Sequence, residues 1–259
     1  LQPDYIAACF DLAGPTYRHD AYEKYKATRV KTEDSLATQI DRSRDVFEAF
    51  GIRIYDHPGF EADDMLGTIV EQTKKMKDIE IIIASGDMDT LQLISKKRVQ
   101  VYTLRKGIKD TIMYDERVVK ERFGFGPELI PDYKGLRGDP SDNIPGIVGI
   151  GEKTASQLIV NFGSIEVMYT KLKKSEGPFL KAGISPRIIA LLKENEEEAQ
   201  FSKMLATIRR DAPVTFFLGE ETWRTQLDVP KVLDLFAEFG FRALAGRVRR
   251  LFGGVVEPF

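Results

Sequence analysis

The chain has 259 residues, a net charge of −2, and is 42% apolar and 30% charged. That is ordinary for a globular protein and enough for one sizeable core, or a core plus a smaller module. No apolar run reaches the roughly 18–20 residues of a membrane span, and no secretory signal is read at the start. The lone Cys9 excludes an internal disulfide, so a cytoplasmic compartment is expected. Two distant histidines, His19 and His57, exclude a zinc-type centre.

Taken in chain order, Tyr5–Phe10 is a short apolar run ending at Asp11, as a buried parallel strand would be. Tyr17–Lys31 is basic and aromatic with helical spacing. Thr32 is read as the N-cap of a helix with its stripe at Leu36, Ile40 and Phe47, ending near Gly51. Ile52–Tyr55 predicts a second strand. Glu61–Lys77 predicts an amphipathic helix with Leu66, Ile69, Val70 and Met76 inward. Ile79–Ser85 and Val99–Leu104 predict two further strands. Alternating strands and helices imply an α/β fold of three layers with a mostly parallel sheet. After about Asp115 helical periods dominate, broken by Gly and Pro between Gly138 and Gly151; the helix Glu152–Phe162 follows.

Eight carboxylates occupy positions where such a fold places chemistry. Asp11 closes the first strand, Glu61, Asp63 and Asp64 open a helix, Asp87 and Asp89 follow a strand, and Asp139 and Asp142 lie in a turn. Any one of them alone is a cap or turn residue. The ordered set asks for more, because the crevice beyond the strand ends is the usual binding site of an open sheet. Oxygen donors without thiolates select Mg²⁺ or Mn²⁺.

Two other segments carry chemistry. GDPSDNIPGIVGIGEKTA, residues 138–155, has Glu152 where a nucleotide-binding loop needs Lys, and no strand precedes it. Its glycines instead allow close backbone approach before a helix whose N–H groups can hold a phosphate. In residues 17–31, Arg18, Tyr22, Lys26 and Arg29 share one expected helical face, with cations to neutralise phosphates and rings to stack on bases.

Together CFD (9–11), YRHDAYEKYKATR (17–29), GFEADD (59–64), SGDMD (85–89) and the 138–155 turn resemble the 5′-nuclease domains of bacterial DNA polymerases I, within the flap-endonuclease family. The resemblance runs through about Leu251. It implies a PIN-like core over residues 1–135, with a basic helical arch near 17–31. A helical region over 136–259 would hold a helix-three-turn-helix motif at about 138–163. It implies structure-specific 5′-3′ exonuclease and flap-endonuclease activity on DNA with a 5′ flap, nick or frayed 5′ end. The eight acids would hold two Mg²⁺ or Mn²⁺ ions or support their ligands, and Lys26 and Arg29 would serve catalysis. DNA would be held by Arg18, Tyr22, Lys26, Arg29, Lys134, Gly146, Gly149, Gly151, Lys153 and Thr154, with K⁺ at the turn. A monomer, and a polymerase domain attached in the native protein, are further implications. The family pattern opens with another Asp-bearing strand, which nothing here matches. That makes a catalytically impaired DNA-structure-binding fragment one alternative; another is a PIN-type ribonuclease, whose small core shares the acid pattern but would not need the 138–154 turn.

Overall fold

The structure, a computed structural model, describes residues 1–105 and 110–252. The last residues of the expected helical region, 253–259, lie outside the described residues. The elements run in order β1 (Ala7–Cys9), α1 (Tyr17–Ala21), α2 (Asp34–Ala49), β2 (Arg53–Tyr55), α3 (Ala62–Gln72), β3 (Ile81–Ala84), β4 (Val99–Leu104) and β5 (Thr111–Tyr114). Then come α4 (Glu116–Phe123), α5 (Ile130–Arg137), α6 (Glu152–Phe162), α7 (Ile165–Lys174), α8 (Gly177–Lys181), α9 (Pro186–Glu194), α10 (Glu196–Ala206), α11 (Val229–Glu238) and α12 (Arg242–Phe252). No described helix is long and apolar enough to cross a membrane.

Two compact units divide the chain, each from discontinuous segments. The first comprises Leu1–Ala13, Val30–Ala62 and Pro213–Phe259; the second comprises Gly14–Arg29 and Asp63–Ala212. A cut near residue 135 does not separate them, because α5 straddles that point and packs on both α6 and α10 within the second unit.

The single, mostly parallel sheet expected from the sequence is replaced by two small ones. In the first unit β1 pairs with β2 in parallel. In the second, β3 pairs with β4 in parallel, and β5 joins β4 antiparallel. Residues 111–114 carry a strand that periodicity did not reveal: four residues are too few to establish alternation.

The first unit closes on Ala49, Val232, Phe236, Ala245 and Val248, from α2, α11 and α12. The second has a larger core that joins Ile83, Val99 and Val101 of its sheet to Leu136, Leu158, Ile165 and Leu192 of the helices. Local chemistry sets the helix ends. Asp115, Ser164 and Ser185 accept backbone N–H groups at the starts of α4, α7 and α9. Gly124, at φ +85°, ends α4 in the left-handed conformation. Glu33, one residue after the expected Thr32, is the N-cap of α2, and the stripe residues Leu36 and Ile40 are half exposed.

The expected basic helix over Tyr17–Lys31 ends at Ala21, and turns fill residues 23–28. Lys26 has φ +55°, outside the helical range, and its N–H donates to the Asp142 carbonyl. Tertiary bonds thus take the donors that a longer helix would have used internally.

Candidate active site

Within the second unit, acids and bases meet at the C-terminal side of β3. Asp87 caps the 3₁₀ turn Met88–Leu93 by accepting the Asp89 N–H at 2.8 Å. Facing that turn is the last part of α5, which carries Lys134. Its ammonium donates to Asp89 Oδ1 and, at 2.5 Å, to Asp139 Oδ2. Asp139 is itself shaped by its turn: Oδ1 accepts the Ser141 N–H at 2.9 Å and the Ser141 hydroxyl at 2.7 Å. The Asp139–Ile144 bridge closes that turn.

Electrostatics separates the two acids. Burial pushes Asp89 up to about 6, against the attraction of Lys134. Burial would raise Asp139 as well, but Lys134 and Ser141 outweigh it and hold Asp139 below the usual carboxylate range. Burial would lower Lys134, yet Asp89 and Asp139 hold it above the usual lysine range.

Asp142 lies in the same turn and anchors the basic segment. Its carboxylate accepts the Tyr25 hydroxyl at 3.1 Å and Arg29 Nη2 at 2.5 Å, while Asn143 Nδ2 donates to the Lys24 carbonyl at 2.6 Å. Lys26 Nζ stands 5.0 Å from the centre of the Tyr25 ring.

Arg18 does not face outward as expected. It is buried and makes a two-pronged pair with Asp64, at 2.8 and 2.9 Å, and donates to the carbonyls of Leu205 and Thr207. The wholly buried Asp64 also accepts the Arg209 N–H. A cation so enclosed cannot reach a phosphate; α1 serves to seat Asp64. Tyr22 is half-buried, with its ring edge-on to Phe201. Asp63 is half-buried on α3. In the first unit, Asp11 is exposed and accepts the Ala62 N–H at 2.7 Å, and Glu61 is half-buried.

Among the described residues no three His, Cys, Asp or Glu side chains are gathered as a metal-holding group. The donor chemistry nonetheless fits a hard divalent cation: Asp89 and Asp139 direct one oxygen each at a single positive centre, the Lys134 ammonium.

The glycine turn before α6 leaves its N-terminus without a side-chain cap, and Gly149, Gly151 and Lys153 are exposed there, with Thr154 half-buried. Gly146 is different. Its N–H donates to the buried Ser202 hydroxyl, φ is +61°, and a Cβ would stand 2.1 Å from the Gly138 nitrogen. Close packing against α5 therefore requires a glycine at 146. Sequence reasoning placed Tyr25 beside the basic face without its bond to Asp142, and it missed Ser141. Ser141, two residues after Asp139, carried a readable signal, the local Asx turn.

The fold is shared with solved nucleases. The T5 D15 protein co-crystallised with metal ions superposes with a TM-score of 0.61 over 95% of this chain and 82% of its own, at 20% identity. The T5 flap endonuclease in a complex with DNA and metal ions gives 0.61 over 93% and 80%, at 21% identity. The catalytic core of Rad2 in complex with DNA substrate gives 0.56 over 97% and 78%, at 14% identity. These likenesses define the class by fold.

Residues 1–124 match the 5′-3′ exonuclease N-terminal resolvase-like domain, and residues 125–228 match the 5′-3′ exonuclease C-terminal SAM fold. The chain belongs to the 5′-3′ exonuclease family, homologous to the 5′-nuclease region of DNA polymerase I. DNA polymerase I of Bacillus caldotenax is 38% identical over 242 residues, 93% of this chain and 26% of its own length. That of Bacillus subtilis is 36% identical over 247 residues, 95% and 27%. The chain thus spans about a quarter of the length of these curated relatives. The match over residues 125–228 also removes the reason to read the chain as a bare PIN-type ribonuclease core.

Proposed function

We propose that this chain is a structure-specific nuclease that hydrolyses phosphodiester bonds of DNA at a 5′ flap, nick or frayed 5′ end. The observation that carries the reading is the Asp89–Lys134–Asp139 cluster beside the turn in which Asp142 holds Arg29. Mg²⁺ or Mn²⁺ ions held by Asp63, Asp87, Asp89, Asp139 and Asp142 would supply an activated water and charge stabilisation at the leaving oxygen. Asp64 serves as a positioning residue, since Arg18 and the Arg209 N–H already saturate it.

In this reading the chain's own cations act on the substrate. Lys26 and Arg29, held on the 139–144 turn, offset charge on the scissile phosphate. Lys134 poises the two acids and yields one when a cation competes for it. Gly149, Gly151, Lys153 and Thr154 hold one strand of duplex through backbone N–H groups and the lysine. Gly151 is the clean position to probe this, because a Cβ there meets nothing within 4 Å.

One observation favours a second reading, binding without cleavage: Asp64, Asp89, Asp139 and Asp142 each already meet a basic side chain. Single-turnover cleavage of a 5′-flap substrate in Mg²⁺, alongside binding in Ca²⁺, decides between them. Lys26→Ala and Arg29→Ala should each lower the rate by about 10²–10³-fold, the scale of one lost electrostatic stabiliser. Gly151→Leu should weaken duplex binding and spare single strands. Binding with no cleavage establishes the second reading, and no binding of either substrate overturns both.

A further inference from the structure

α12 differs from the other helices of the first unit in its charge. It carries Arg242, Arg247, Arg249 and Arg250 and no acidic residue within 11 residues. All four arginines are exposed, and among the described residues none of them has an ion-pair partner. Such a concentration of like charge disfavours folding unless something anionic offsets it. The helix also lies beyond residue 228, where the two family matches end, so neither match assigns it a role.

The placement of the arginines is ordered. At 100° per residue, Arg249, Arg242, Arg250 and Arg247 fall along one continuous arc of the helix surface. Ala245 and Val248 lie outside that arc and are buried against α2 and α11, with Phe252 packed beside them. Gly246 sits inside the arc, and a Cβ there would meet only the tip of Arg250, at 3.9 Å. The arginines therefore flank a bare stretch of backbone that a bulky anionic polymer can approach closely. A basic amphipathic helix can also lie on an anionic membrane, but that requires a free apolar face. Here Ala245, Val248 and Phe252 are packed in the core of the first unit, and the two exposed leucines of the helix, Leu244 and Leu251, make too small an apolar face to seat it in a membrane.

We infer that the arginine arc of α12 is a second DNA-binding surface, which takes the phosphate backbone of duplex DNA without reading its sequence. The inference rests on the proposed function above, because that reading makes DNA the anionic polymer at hand. Arginine is well suited to such a surface, since its planar guanidinium bonds phosphate oxygens in pairs and stays charged at every working pH. α12 adds affinity and leaves the chemical step alone.

The test compares the parent chain with the variant Arg242→Gln, Arg247→Gln, Arg249→Gln, Arg250→Gln, binding a 5′-flap duplex in Ca²⁺ across a salt series. Each lost phosphate contact reduces the slope of log K against log salt by about 0.9. The parent should therefore lose on the order of 10²-fold more affinity than the variant between about 50 and 200 mM salt. The single-turnover rate at saturating DNA should be equal in the two, and replacing the same four residues by Lys should keep most of the slope. Equal far-ultraviolet circular dichroism and melting temperature in parent and variant exclude a folding defect. A parent that binds and cleaves flap DNA, with an unchanged slope in the Gln variant, overturns this inference and spares the functional reading. So does an arc that the parent uses only on phosphatidylserine vesicles. A parent that binds no DNA overturns the functional reading and this inference with it.

Discussion

Two lysines in the second unit each bridge two acids, and α5 takes part in both clusters with its roles reversed. On one side α5 contributes the acid: Asp132 is paired with Lys203 of α10 at 2.6 Å, and Lys203 also reaches Glu166 of α7 at 2.7 Å. On the other it contributes the base, Lys134, between Asp89 and Asp139. The difference lies in how completely each acid is satisfied. Asp132 is 2% exposed and accepts the Ile165 N–H as well as the lysine, so it ties α5, α7 and α10 together. Asp89 accepts from Lys134 alone among the described residues, and its acid partner Asp139 belongs to a turn. A saturated cluster is a brace. In the other cluster Ser141 also holds Asp139, but Asp89 depends on one ammonium and can exchange that cation for another.

The sharpest way to break this comparison is Lys203→Met. It leaves Asp132 buried with its charge uncompensated, which should cost about 3–5 kcal/mol, read from urea unfolding at neutral pH. The sign of the pH dependence follows from Asp132, which burial holds above the usual carboxylate range. A raised folded pKa favours the folded state below the unfolded pKa, and that benefit is lost as pH rises through the folded value. Without Lys203 the shift grows, so the deficit of the variant should be largest near pH 7 and shrink toward pH 4. A deficit independent of pH would mean that Asp132 is not the group left stranded.

Lys134→Met should be milder without metal, about 1.5–3 kcal/mol for the lost charged hydrogen bonds, and it should gain more stability from Mg²⁺ than the parent does, whereas Lys203→Met should gain no more than the parent. If Asp89 and Asp139 then hold the ion, saturation at about 100 times its Kd restores about 2.7 kcal/mol, read as a shift in melting temperature. Equal responses of the two variants to Mg²⁺ would erase the distinction between brace and site. The smallest effect is expected from Glu166→Gln. The Glu166 side chain is 59% exposed, so its bond to Lys203 is screened and the loss should stay below about 1 kcal/mol in urea unfolding.

Much of the fold is legible in the sequence itself. The strand Val99–Leu104 and the helix Glu152–Phe162 run between the residues that periodicity and punctuation predicted. The motif order identified the family. Such features are local: an apolar run, a helical period or a capping residue acts on neighbours within a few positions, so the sequence displays it directly. The order of the acids is likewise a property of the chain itself.

What only the tertiary structure decided depends on partners far away in sequence. Arg18, read from its own segment, belonged on an outward basic helix. Asp64 and the carbonyls of Leu205 and Thr207 take it into the interior instead. The helix expected through Lys31 stops at Ala21 because Asp142 captures the Lys26 N–H, the Tyr25 hydroxyl and Arg29. Lys134 became the centre of an acid cluster, and Lys203 a brace, through contacts that no local window contains. The reason is energetic: burying a charge is so costly that the position of its counter-charge decides where it can lie. That counter-charge is assigned by the packing of whole elements, which local propensity does not encode.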